Sequence, residues 1–260
     1  MIFRELDQSP LVRFLFYPRR AFTRPPRGAW DFFVPVEEGV TSACRFFEGD
    51  PLNPWILYFH GNGEVASDYD DIAPAYHGIQ ANLAVAEYRG YGRSGGHPSF
   101  TNMKADAHLI LQEVCREVSG KYGERDLWIM GRSLGSLTAL ELAAEAEPAS
   151  LSLNLKGVIF ESGFISVSHL IRHLGLPRGG VELEALDRVG REMASKISLP
   201  ALVIHGREDS LVPFWQGEEL FNQLGSGEKK LVGIPGGEHN NVMVVDMPRY
   251  FGAIKDFISS

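Results

Sequence analysis

Short, nearly uninterrupted apolar runs alternate along this chain with stretches whose apolar residues recur at helical spacing. The runs at 54–59, 83–88, 127–130, 156–160, 200–204 and 230–234 read as strands covered on both faces, because they lack the polar positions of a solvated sheet. Between them, Met103, Ala107, Ile110, Leu111, Val114 and Val118 repeat as one face of a helix, with Thr101 as its expected cap. Further helices are expected over 137–145, from Val212-Pro213 through Leu224 with Gly225 as terminator, and over 247–258. Upstream, 30–36 and 41–47 read as two strands joined by the turn Glu37-Glu38-Gly39. Alternation from residue 54 onward predicts an α/β fold, a mostly parallel sheet of about eight strands with helices on both faces.

One segment breaks the alternation. Residues 164–198 hold His169 to Leu174 on an expected cap helix, the turn Pro177-Arg178-Gly179-Gly180 and a charged helix ending near Lys196, and are expected to form a small cap insertion over the sheet. At the other end, residues 1–29 read as an arm ahead of a single domain over 30–260. The arm interleaves Arg4, Arg13, Arg19, Arg20, Arg24 and Arg27 with Phe14, Phe16, Tyr17 and Phe22. Pro18, Pro25 and Pro26 prevent a continuous amphipathic helix. The arm is therefore expected to lie extended on the acidic body with its aromatics at the core edge. Weak peripheral contact with a membrane through residues 1–28 is the alternative.

Composition narrows the classes. A chain of 260 residues with 44% apolar content can fill the core of one α/β domain. A net charge of −8 argues against a nucleic-acid partner, since nothing systematic would neutralise phosphates. Cys44 and Cys115 lack metal-ligand spacing and read as free buried thiols in a reducing compartment. No run is long enough to span a membrane, and no basic start precedes an apolar signal core. A cytoplasmic protein is the expectation.

The candidate chemistry centres on Gly131-Arg132-Ser133-Leu134-Gly135, where a strand runs through Gly-x-Ser-x-Gly into a helix. A serine there sits on a strained turn and needs an imidazole to take its proton and a carboxylate to fix the imidazole. In an open parallel sheet such groups gather beyond the carboxyl ends of strands. Asp209 and His239 lie there, and the order Ser133, Asp209, His239 is the one that accompanies a nucleophile elbow. Ser94 also sits in Gly-x-Ser-x-Gly, but His97-Pro98 forbids a helix directly behind it. His60 and His205 are competing strand-end histidines, expected to brace loops. Glu161 is the fallback acid, and Glu208 is expected to face solvent. The oxyanion hole is expected from the backbone N–H groups of Asn62 and Leu134, with Gly61 and Gly63 allowing close approach. The Asn62 side chain has the stabilisation of its own loop as an alternative use. His169 and His173, four apart, lack the third ligand of a metal site. Glu64, Asp68, Asp70 and Asp71 are expected to decorate helix N-termini.

Together, His60-Gly61-Asn62-Gly63, Tyr88-Arg89-Gly90-Tyr91-Gly92-Arg93-Ser94, the Ser133 pentapeptide, His205-Gly206-Arg207-Glu208-Asp209 with Val212-Pro213, and His239-Asn240 resemble the α/β-hydrolases. The resemblance is to the small-cap branch with depalmitoylase-like and serine-aminopeptidase-like members. Two departures stand out: the arm has no cysteine for a lipid-anchored N-terminus, and 164–198 matches nothing that defines a substrate pocket. The resemblance implies a cofactor-independent serine hydrolase without metal, acting on a small-molecule or acylated substrate. Serine in the elbow argues against the dehalogenases and epoxide hydrolases of this fold, which use aspartate. An ester or thioester is expected, because alkoxide and thiolate leave more readily than amines. The rivals are an amide hydrolase that binds a free amine through Glu182, Glu184 and Glu192, and a non-catalytic binding module.

Overall fold

The computed structural model describes residues 2–146, 154–176 and 180–260; residue 1 of the arm and residues 177–179 of the insertion turn lie outside the described residues. Eight strands form one sheet in the order β1-β2-β4-β3-β5-β6-β7-β8. They are β1 (Ala29–Glu37), β2 (Val40–Phe47), β3 (Trp55–Phe59), β4 (Asn82–Ala86), β5 (Asp126–Arg132), β6 (Asn154–Glu161), β7 (Ala201–Gly206) and β8 (Lys229–Ile234). Only β2 runs against its neighbours; β4 through β8 are parallel, as the buried apolar runs predict. Side chains alternate between two cores. Trp55, Leu57 and Phe59 of β3 face one, and Ile56 and Tyr58 face the other.

The first core is covered by α4 (Phe100–Tyr122), α5 (Gly135–Ala144), α7 (Leu183–Lys196) and α8 (Phe214–Gln223). The second lies under α3 (Ala73–Gly78), the short α9 (Val242–Val245) and α10 (Met247–Ile258). Of the 164–198 segment, α6 (Val167–His173) roofs the carboxyl end of the sheet, while α7 joins the helical layer against α5 and α8. Asp187 of α7 ties the two, accepting from the hydroxyls of Ser166 and Ser168. Among the described residues no helix is long and apolar enough to cross a membrane.

The arm differs from the extended expectation over its first half. It folds as α1 (Ile2–Gln8) and α2 (Val12–Leu15), and only the rest is extended. Leu6, Leu11 and Leu15 are buried in the first core, and that burial requires helical turns. Phe16 follows them inside; Phe14, Tyr17 and Phe22 stay exposed. The long helix α4 is capped by Ser99, not Thr101, and the arm adds a second cap. The Asp7 carboxylate accepts from the N–H groups of Phe100 (2.7 Å) and Thr101 (2.9 Å). It thereby satisfies two of the orphan donors at that helix end. Cys44 and Cys115 are both free and buried, and burial pushes their thiols up, Cys115 to about 12.

Two predictions follow from these contacts. Asp7→Ala should cost about 1 kcal/mol by chemical denaturation, the usual loss of a helix cap; an unchanged midpoint would show that the arm does not support α4. Glu87, just past β4, accepts from Ala66 N–H (3.0 Å) and Arg93 N–H (2.8 Å), yet burial outweighs both and lifts its carboxyl to about 7. Between the ordinary glutamate range and that value the folded state holds a proton that the unfolded chain has released, so this group's contribution to stability falls as pH rises. Glu87→Gln should flatten the decline between pH 5 and pH 8, and an identical slope would contradict it.

Candidate active site

Strand β5 delivers Ser133 onto a turn with φ +50°, a conformation that costs a non-glycine residue about 1–3 kcal/mol. Its neighbours must be glycine for a steric reason. A Cβ on Gly131 would stand 2.3 Å from the Gly135 carbonyl oxygen, and one on Gly135 would stand 2.0 Å from that of Phe59. Helix α5 starts directly behind, so its N-terminal dipole lies beside the serine. The Ser133 N–H is held by the Glu161 carbonyl at 2.9 Å.

Ser133 Oγ lies 2.9 Å from His239 Nε2, and His239 Nδ1 lies 2.8 Å from Asp209 Oδ2. A carboxylate only accepts, so Nδ1 carries the proton and Nε2 is free to take one from the serine. Asp209 Oδ1 accepts from the N–H groups of Leu211 (3.0 Å) and Val212 (2.7 Å). Burial would raise the Asp209 carboxyl, but the His239 bond and the Val212 N–H bond more than offset it and hold it below the usual aspartate range. All three side chains are buried, and Ser133 and His239 line one cavity, with Asp209 behind His239.

The competing residues are occupied elsewhere. Ser94 is buried and accepts from Ala43 N–H. His60 donates through Nδ1 to the Gly61 carbonyl (2.8 Å), and His205 through Nε2 to the Val212 carbonyl (2.7 Å). Burial lowers the affinity of both rings for a proton. Glu161 accepts from Tyr58 Oη (2.9 Å), Tyr250 Oη (2.7 Å) and Arg132 Nε (3.2 Å). Glu208 is exposed. His169 stacks on His173, which bonds to the Ser210 carbonyl. Of the four acidic residues expected at helix ends, Asp68 does cap the short 3-10 helix Ala66–Tyr69, accepting from Val65 N–H (3.1 Å), and also pairs with Arg19, while Glu64 pairs with Arg132 and Asp70 with Arg45.

Asn62 and Leu134 line the cavity with Ser133, and among the described residues no protein acceptor takes either backbone N–H. The Asn62 side chain turns to the arm. Its Nδ2 donates to the Leu15 carbonyl and its Oδ1 accepts from Tyr17 N–H and Tyr91 Oη.

Arg132 is the residue that motif reasoning passes over, since it is only the variable position before the serine. Its buried guanidinium bonds Glu161, Glu64, the His239 carbonyl (2.8 Å) and Asn240 Oδ1 (3.2 Å). Burial opposes its charge, and Glu64 and Glu161 overcome that, so the guanidinium is held protonated above its ordinary range. Gly61 leaves room for it; a Cβ there would sit 2.4 Å from Arg132 Nη1.

Fold and site together define an α/β-hydrolase architecture. The chain belongs to the α/β-hydrolase family described as serine aminopeptidase, S33, whose sequence profile matches residues 51–186. Among relatives, protein bem46 of Schizosaccharomyces pombe is 29% identical over 220 residues, covering 82% of this chain and 69% of that protein. Human alpha/beta hydrolase domain-containing protein 17B is 28% identical over 237 residues, covering 88% and 74%. An esterase of Pyrococcus furiosus superposes with a TM-score of 0.73 at 15% identity, covering 93% of this chain and 98% of its own. By family the protein is a hydrolase.

Arg132→Gln should destabilise the fold by about 3–5 kcal/mol, since it leaves buried carboxylates without their cation. Chemical denaturation reads this directly; a loss under about 1 kcal/mol would mean the network is solvated rather than buried.

Proposed function

We propose that the protein hydrolyses a carboxylic ester or thioester through an acyl-enzyme on Ser133. Ser133 Oγ attacks the carbonyl carbon while His239 Nε2 takes its proton, and Asp209 holds the imidazole and offsets the charge it gains. The N–H groups of Asn62 and Leu134 bind the oxyanion. His239 then protonates the leaving group, and water activated by the same imidazole attacks the acyl-enzyme and frees the acid.

The observation that carries this reading is the Ser133–His239–Asp209 relay opening into an apolar cavity. The cavity holds about 330 Å³ and is walled by Phe14, Leu15, Phe100, Leu137, Phe164, Val167, Leu170 and Leu174 among others. That is the low end of the ~300–1,000 Å³ of small-molecule sites, a size suited to a short or medium acyl group. A free-amine subsite would need a carboxylate, and among the described residues neither Asp nor Glu lines the cavity. Glu182, Glu184 and Glu192 are exposed and outside that lining, which disfavours the amide reading despite the family's name.

A fluorophosphonate probe should label the wild-type chain and leave Ser133→Ala unlabelled; equal labelling of both would refute the nucleophile. Among p-nitrophenyl esters of graded length, short and medium acyl groups should be turned over faster than long ones and faster than aminoacyl anilides. A preference for the anilides would establish the amide hydrolase instead.

A further inference from the structure

We propose that the N-terminal arm is a working part of this site, and that Asn62 and Tyr91 are positioning residues through which the docked arm sets the oxyanion-binding amide. The inference rests on the reading of Ser133 given above. The loop that carries Asn62 is tied at Gly61, whose N–H donates to Glu64 (2.7 Å) and whose carbonyl accepts from His60 Nδ1 (2.8 Å). Among the described residues, however, the Asn62 N–H itself has no protein acceptor, and Gly63 after it takes φ +78°. A peptide between glycines has wide conformational freedom, which must be removed for its N–H to aim at one point. The Asn62 side chain removes it by pairing with the arm as a backbone amide would. Nδ2 donates to the Leu15 carbonyl at 3.0 Å, and Oδ1 accepts from Tyr17 N–H at 2.9 Å.

Tyr91 closes the arrangement from below. Its hydroxyl donates to Asn62 Oδ1 at 2.7 Å and shares the Tyr17 N–H at 3.0 Å, while its ring is wholly buried beside Tyr88. The next loop residue is held too, because Arg19 Nε donates to the Gly63 carbonyl at 3.0 Å. Between the paired residues, Phe16 is buried with its ring 4.8 Å from that of Phe100, which fixes the arm from the other side. The same arm presents Phe14, Leu15 and Tyr17 to the cavity that contains Ser133. One segment therefore forms a wall for the acyl group and anchors the loop whose amide meets the oxyanion.

The test uses the full chain with Asn62→Ala and Tyr91→Phe, a fluorophosphonate to titrate active serines, and p-nitrophenyl butyrate as substrate. Turnover per titrated serine should fall about 10–100-fold in Asn62→Ala and about 3–10-fold in Tyr91→Phe, less than the ~10²–10³ of losing a donor outright. KM should stay within about threefold in both, because the acyl wall remains. A boronic acid, which mimics the tetrahedral adduct, should lose affinity in parallel with kcat. If both variants keep wild-type turnover per titrated serine and lose only thermal stability, the clasp is a staple and the proposal is overturned. If Asn62→Ala does not fold, Tyr91→Phe decides by the same criterion. Failure of the wild-type chain to titrate would overturn the Ser133 reading and, with it, this one.

Discussion

The site is assembled around a buried positive charge. Two loops and a strand end reach it: Glu64 from behind β3, the His239 carbonyl from behind β8, and Glu161 from the end of β6. A guanidinium suits this role because its donors fan out in one rigid plane, so several partners are set at fixed angles at once. Ser133 is the next residue in the chain. The position of Ser133 relative to His239 is thus held by one side chain together with the strained turn that follows it.

This arrangement explains why so much polarity is tolerated at the carboxyl end of the sheet. Glu161 has almost no contact with solvent, and an isolated carboxylate there would be prohibitive. Two tyrosine hydroxyls and Arg132 occupy its acceptor positions. Such networks rigidify when complete and fail when any member is lost. The same economy appears on the other side of the site, where His205 and two backbone N–H groups hold the Asp209 loop in the shape that lets its second oxygen face His239.

The strands and the arrangement of Ser133, Asp209 and His239 were legible because each leaves a local mark. Buried parallel strands read as apolar runs, the elbow needs glycines at fixed offsets, and strand-end loops place polar residues after each run. Arg132 and Tyr58 left no comparable mark. One sits at a variable motif position and the other inside a continuous apolar run, so their partners, far away in sequence, could not be inferred. The arm shows a different failure. Its prolines and arginines pointed to an extended surface strand, while Leu6, Leu11 and Leu15 carried a helical burial signal too short to stand out from three residues. Asp7 as a cap for α4 lay beyond any local rule, since its partners are more than ninety positions downstream.

The reach of those contacts also orders events during folding. The arm's partners lie 45 positions away at Asn62, 74 at Tyr91, and 93 and 94 at the start of α4. Contacts of that separation close late, after local helices and neighbouring strands have formed. A chain whose sheet is complete but whose arm is still undocked lacks Phe14, Leu15 and Tyr17 in the wall of the cavity beside Ser133 and leaves the Asn62 side chain without its Leu15 and Tyr17 partners. The contacts that build the sheet and those that close the cavity beside Ser133 are therefore made over different separations along the chain.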